Sequence, residues 1–219
     1  MTTMRSPRTN ASPKSAGRRQ GDTRMVLVRA AERLFAARGV DNVSMREIAA
    51  AAGQANHSAV LYYFTDKHEL LDALLQRHSE PIQNAWLIAL DHMAAEGRDG
   101  LDELVGLLAR PIVAKVDDPD GGPEYLQVVA DLMTSRSHPI LSFPAANGPG
   151  AQALAARMMR HLEVVPAELL SLRMLRITAA LYCSIEQYLM ARDSVPREEF
   201  VRDLIVSIAA MLRAGLPPR

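Results

Sequence analysis

Residues 44–70 read SMREIAAAAGQANHSAVLYYFTDKHEL, and the punctuation inside them decides the fold. Ser44 with Glu47 three residues on is a capping box. The hydroxyl accepts from an amide of the first helical turn, and the carboxylate returns a bond to the Ser44 amide. A short helix follows in which Ile48 and the alanines face inward, and Gly53 closes it. A second short helix covers roughly residues 57–64. Val60 and Phe64, four apart, share its inner face, and Tyr62 and Tyr63 reach outward. Asp66 and Glu69 form another capping pair and open the next helix. Two short helices joined by a glycine turn make a helix-turn-helix.

Upstream, a helix over about 23–38 carries Leu27, Ala30, Ala31, Leu34 and Phe35 as its buried stripe, and Gly39 ends it. Residues 1–21 are rich in Ser, Pro, Arg and Gly and lack periodicity, so a disordered tail is expected. Its Arg5, Arg8, Lys14, Arg18 and Arg19 form a basic arm. Downstream, further helices are expected at about 81–96, 100–116, 123–136, 150–164, 166–192 and 197–213, with no convincing strand. Pro81, Pro123, Pro166 and Pro196 are placed in first turns. Pro111 is expected to kink or split its segment, and residues 137–150 read as a loop. The fold class is therefore all-α. Residues 22–80 form a three-helix helix-turn-helix domain and residues 81–219 a second helical domain.

The 219 residues are 48% hydrophobic and 23% charged, enough for a sizeable core. No run approaches the roughly 18 apolar residues a membrane span needs, and the N-terminus lacks the apolar core of a secretory signal. One cysteine, Cys183, excludes an internal disulfide and fits a reducing compartment, so a cytoplasmic location is expected. Net charge is zero but uneven. Residues 1–67 hold 11 Lys/Arg against 5 Asp/Glu, and residues 68–219 hold 14 against 20. A basic head on an acidic body suits a polyanion at one end only. The six histidines show no metal-binding spacing, no glycine-rich phosphate loop or GxSxG elbow is present, and Cys183 sits mid-helix among apolar neighbours. No enzyme, cofactor or metal is expected.

In a helix-turn-helix the second helix enters the major groove of DNA. Asn56, His57 and Ser58 lie at its N-terminal end, where hydrogen-bonding groups are wanted, and Tyr62 and Tyr63 follow on the outward side. Lys67 stands in a first helical turn, where a cation opposes the helix dipole. The placement makes sense if a phosphate binds there, held by free amides, the dipole and the ammonium together.

Residues 23–75, TRMVLVRAAERLFAARGVDNVSMREIAAAAGQANHSAVLYYFTDKHELLDALL, resemble the DNA-binding domain of the TetR family of bacterial transcriptional repressors. The resemblance rests on AAERLFAARG in the first helix, S-M-R-E-I-A-x-x-A-G in the second, and the aromatic exit Y-Y-F-x-x-K. It implies that Ser44 and Lys67 contact phosphate and that Arg46 reaches a phosphate or a base. His57, Ser58, Tyr62 and Tyr63 would line the groove-facing side. Two departures stand out. The turn GQANHS is one residue longer than usual, and Leu61 occupies a position where the family often has a phosphate-binding tyrosine. Either Leu61 or its neighbour Tyr62 faces the DNA backbone.

The resemblance further implies that the C-terminal two-thirds is a ligand-binding and dimerisation domain. Residues 166–192 carry Leu169, Leu172, Ile177, Leu181, Ile185 and Leu189, and residues 197–213 carry Phe200, Val201, Leu204, Ile205, Ile208 and Leu212. Apolar arcs this wide must bury more than one side, as in a two-fold four-helix bundle between two copies. Trp86, Met93, Tyr125, Met133, Phe143, Met158 and Tyr182 are the candidate lining of an effector pocket. The expected function is a homodimeric repressor on an inverted-repeat DNA operator, released by a small apolar or amphipathic effector and not acting at a membrane. The alternative is a DNA-binding dimer with no effector.

Overall fold

The computed structural model describes residues 13–54, 58–163 and 165–215. The expectations for Asn56 and His57 fall outside these residues. Nine α-helices and no strand occur among the described residues: α1 (Pro13–Arg38), α2 (Met45–Ala51), α3 (Ser58–Tyr63), α4 (Lys67–Ala95), α5 (Leu101–Val113), α6 (Gly122–Thr134), α7 (Pro149–Met159), α8 (Ala167–Ala191) and α9 (Arg197–Arg213). Short 3₁₀ turns at Ala114–Asp117, Ile140–Ser142, Pro144–Asn147 and Arg160–Leu162 tighten the connections. No helix among the described residues is long and apolar enough to cross a membrane.

Three short or capped helices and the inner half of α1 make the head. Leu27, Ala31 and Phe35 of α1 pack with Ile48 of α2, Val60 of α3 and Leu70, Leu71 and Leu74 of α4, all fully buried. Leu34 is only half-buried, at the edge of that stripe. Gly53 turns the chain out of α2 with φ +70, a left-handed conformation that glycine adopts without strain. Its successor Gln54 donates its amide back to Ala49 at 2.9 Å.

Two helix starts differ from the sequence reading by more than a residue. α1 begins at Pro13, so residues 13–21 continue the first helix instead of belonging to a disordered tail. Extending an established helix costs far less than nucleating one, and the turns packed from Leu27 onward supply the nucleus. α4 runs unbroken from Lys67 to Ala95 with Pro81 inside it, so no new helix starts at Pro81. An interior proline costs roughly 3 kcal/mol. The buried stripe continues on both sides, through Leu74, Leu75, His78, Ile82, Gln83 and Trp86, and outweighs that cost. Pro111 likewise sits within α5.

The body stacks α4 to α9 around one core continuous with that of the head. α7 and α5 pack on α4, α6 packs on α1 and α8, and α9 closes against α5 and α8. Tyr188 of α8 stacks on Phe200 of α9 with ring centres 4.2 Å apart. Ile177, Leu181 and Ile185 of α8 and Val201, Leu204 and Ile208 of α9 are buried, whereas Leu169, Leu172, Leu175, Met190 and Val206 are exposed.

Candidate functional site

The outer end of the head is built from hydrogen bonds within a few residues of each other. Ser44 Oγ accepts from the Glu47 amide at 3.3 Å, and Glu47 Oε2 accepts from the Ser44 amide at 2.8 Å and the Ser44 hydroxyl at 2.7 Å. The expected capping box is therefore complete, and the Ser44 hydroxyl hydrogen is used inside it. Arg38, the last residue of α1, donates to Glu47 at 2.7 Å and to the Asn42 carbonyl at 2.8 Å. The Ser44 amide, then its hydroxyl and Arg38, hold the Glu47 carboxyl down to about 2. Arg46, on the first turn of α2, is exposed.

Ser58 opens α3. Val60 and Phe64 are buried, and the Arg24 guanidinium lies 4.8 Å from the centre of the Phe64 ring. Tyr62 is 70% exposed and Leu61 49% exposed, so both candidates for the backbone contact face outward. Tyr63 is half-buried and meets Tyr62 edge-on at 5.0 Å. Asp66 caps α4 by accepting from the Glu69 amide at 2.8 Å. The reciprocal bond goes one residue further back than expected: Glu69 accepts from the Thr65 amide at 2.7 Å, not from Asp66. Lys67 Nζ donates to the Val40 carbonyl at 2.9 Å. This bond ties the start of α4 to the turn after α1, four residues before Ser44.

Two features fasten head to body. The Val40 amide donates to Asp131 of α6 at 2.9 Å. Deeper, Glu32 of α1 is buried and accepts from Arg77 at 2.8 Å, with His78 Nε2 2.6 Å away. Arg77 also donates to the Asp120 carbonyl at 2.6 Å. Burial works against the Arg77 charge, but the Asp120 and Glu32 carboxylates outweigh it and raise its pKa. Gly121 (φ +86) passes so close that a Cβ there would strike the Glu32 carboxylate. His78 stacks on Tyr125 with ring centres 4.7 Å apart.

Tyr125 also lines a cavity of about 310 Å³ between α4, α5, α6, α7, α8 and the 137–150 segment. Of the expected lining residues, Trp86, Tyr125, Met133, Met158 and Tyr182 border it, as does Met174. Met93 and Phe143 do not. Met93 lies two helical turns past Trp86, about 10 Å further along α4, and borders a groove against α5 and α9. Phe143 turns away and stacks on His68 at 4.3 Å, which latches its loop to α4 beside Lys67. The Tyr125 and Tyr182 hydroxyls are 3.3 Å apart. Burial raises the Tyr125 pKa well above the ordinary phenol value and pushes Tyr182 up to about 12. Sequence reading missed Ser79 and Gln83, which line the same cavity. The available signal was two polar residues four apart on the otherwise apolar face of α4 that carries Ile82 and Trp86. No group of three His, Cys, Asp or Glu among the described residues could hold a metal ion.

Residues 27–74 match the family model of bacterial regulatory proteins, tetR family. Three solved structures share the fold over most of the chain. The fatty acid degradation regulator FadR from Bacillus halodurans is 17% identical with a TM-score of 0.59, over 96% of this chain and 100% of its own. A candidate tetR family transcription regulator from Shewanella sp. PV-4 is 12% identical with a TM-score of 0.64, over 85% and 95%. A candidate TetR-family regulator from Mesorhizobium loti is 19% identical with a TM-score of 0.52, over 90% and 98%. At these identities the likeness is one of fold. The match to the tetR family of bacterial regulatory proteins thus lies on the head, and over the rest of the chain the likeness to these structures is one of fold.

Proposed function

We propose that the chain is a homodimeric repressor, holding an inverted-repeat operator with α3 of each subunit and letting go when a small molecule fills the cavity. The observation that carries the DNA role is the two-sidedness of α3. Val60 and Phe64 are buried while Leu61 and Tyr62 stand in solvent, between the capped start of α2 and Lys67 at the start of α4. On this reading Ser44 and Lys67 serve phosphates, Arg46 serves a phosphate or a base, and Ser58, Tyr62 and Tyr63 serve the groove. The roles assigned to Asn56 and His57 rest on the sequence alone. Residues 22–80 act as the reading head and residues 81–219 as the sensing and pairing body, with α4 common to both.

Pairing is supported by α8 and α9. Each fills the subunit core with one face and offers Leu169, Leu172, Leu175, Met190 and Val206 on another. An apolar face beyond what the subunit buries fits an isologous contact with a second copy. One short recognition helix reads few base pairs, and two, about 34–36 Å apart, read both halves of a palindrome.

Control is supported by the walls of the cavity. The loop carrying Ile140, Leu141 and Ala145 borders it, and the same loop stacks Phe143 on His68 next to Lys67. A guest that prefers one position of this loop would bias the setting of the head. Selection of bound DNA from a random pool tests the whole reading. An enriched short inverted repeat is expected, and a pool without any enriched motif would remove the proposal.

A further inference from the structure

Within α4, Ser79 and Gln83 lie one helical turn apart and face the same cavity. Ser79 Oγ is buried and has no hydrogen-bond partner among the described residues, not even the carbonyl one turn back that a helical serine often uses. Gln83 is 8% exposed; its Nε2 donates to the Ala145 carbonyl at 2.9 Å, while Oε1 has no partner. Gly148 packs against this amide and Gly150 against the Gln83 backbone, so closely that a Cβ at either would collide. The amide is thus held in one seat. Buried polar atoms are nearly always hydrogen-bonded. Two left over on adjacent turns of one cavity wall mark where a guest's polar group belongs.

Resting on the effector reading of this cavity, we propose that it takes a neutral molecule with an apolar body and one hydrogen-bond donor, a hydroxyl or an N–H, docked on Ser79 and Gln83. The direction follows from the chemistry of the amide: Oε1 only accepts, so the guest must donate, while the Ser79 hydroxyl can give or take the second bond. Neutrality follows from the lining. None of the described residues around the cavity carries a charge, so an ionised guest would be buried without a counter-ion. The same desolvation keeps the Tyr125 and Tyr182 phenols protonated. The volume, about 310 Å³, lies at the small end of ligand sites.

Calorimetry and melting of the full chain with para-hexylphenol, para-hexylanisole and para-hexylbenzoate test this. The phenol has the donor, the anisole lacks it, and the benzoate is charged. The phenol is expected to bind at least about tenfold tighter than either of the others. Ser79→Ala and Gln83→Leu should each erase about tenfold of the phenol's affinity and leave the anisole unchanged. Gln83→Leu also breaks the bond to Ala145 and risks misfolding; Ser79→Ala removes a single oxygen, and if Gln83→Leu fails to fold it carries the test alone. Equal binding of phenol and anisole, equal binding of the benzoate, no binding of the phenol, or a phenol affinity untouched by Ser79→Ala would overturn the inference. Release of the selected operator is read separately. Tight phenol binding with the operator retained would sink the effector reading and leave the ligand class standing, whereas equal release by all three probes would do the reverse.

Discussion

Lys67 holds two positions at once. Its ammonium has three donors, one of which is spent on the Val40 carbonyl, so the cation is pinned at the start of α4 and not left to swing. Lys67→Ala is expected to weaken binding to DNA of any sequence and to flatten the slope of log affinity against log salt by about one per subunit. Titrations at several salt concentrations read this, and an unchanged slope would leave the lysine a structural tie only. In the sequence Lys67 showed as a cation in the wrong turn. Its carbonyl partner stayed hidden because it lies 27 residues back and meets the side chain only through tertiary packing. Glu47 gives a pH prediction. Its pKa falls from 4.5 to about 2 on folding, so its contribution is full above 4.5 and is lost as pH drops towards 2. The melting-temperature gap between wild type and Glu47→Gln should therefore close across that window. A gap constant with pH would break the assignment.

At the scale of elements, α2, α3 and the caps around them were legible because their signals are local: Ser44 with Glu47, the turn at Gly53, Val60 with Phe64. Boundaries set by packing were not. Pro81 reads as a helix start, since nothing near it says that Leu74, Leu75, Ile82 and Trp86 will all be buried on one continuous rod. Ser79 and Gln83 hid for a related reason, because whether a polar group lacks a partner depends on elements far away in sequence. α3 has only six residues, so on the proposed reading its contacts with DNA fall to the few side chains it exposes. Tyr62→Ala should change the half-site enriched from a random pool while shifting the melting temperature little, because the ring is mostly in solvent. Recovery of the wild-type motif by the variant would take Tyr62 out of the groove.

At the scale of the molecule, the exposed apolar faces of α8 and α9 set the expected assembly. Light scattering should give twice the 24.0 kDa chain mass, and a monomer at micromolar concentration would end the dimer reading. The loop latched by Phe143 gives the test of control. His68→Ala removes the stacking partner and the contact with Ser142 at 3.3 Å. It is expected to shrink the ratio of operator affinities measured without and with para-hexylphenol while the phenol still binds. A ratio equal to that of wild type would show that the signal leaves the cavity by another wall.

The unbroken run of α4 has a mechanical corollary. Its 29 residues span about 43 Å, and Gln83 stands about 24 Å from Lys67 along the axis. A rod pivoting near Gln83 by about 10° would carry its Lys67 end sideways by about 4 Å, more than the rise of one base pair. Were the chain jointed at Pro81, as the sequence suggests, such a pivot would be absorbed at the joint; as a lever, α4 delivers it to the end that carries Lys67.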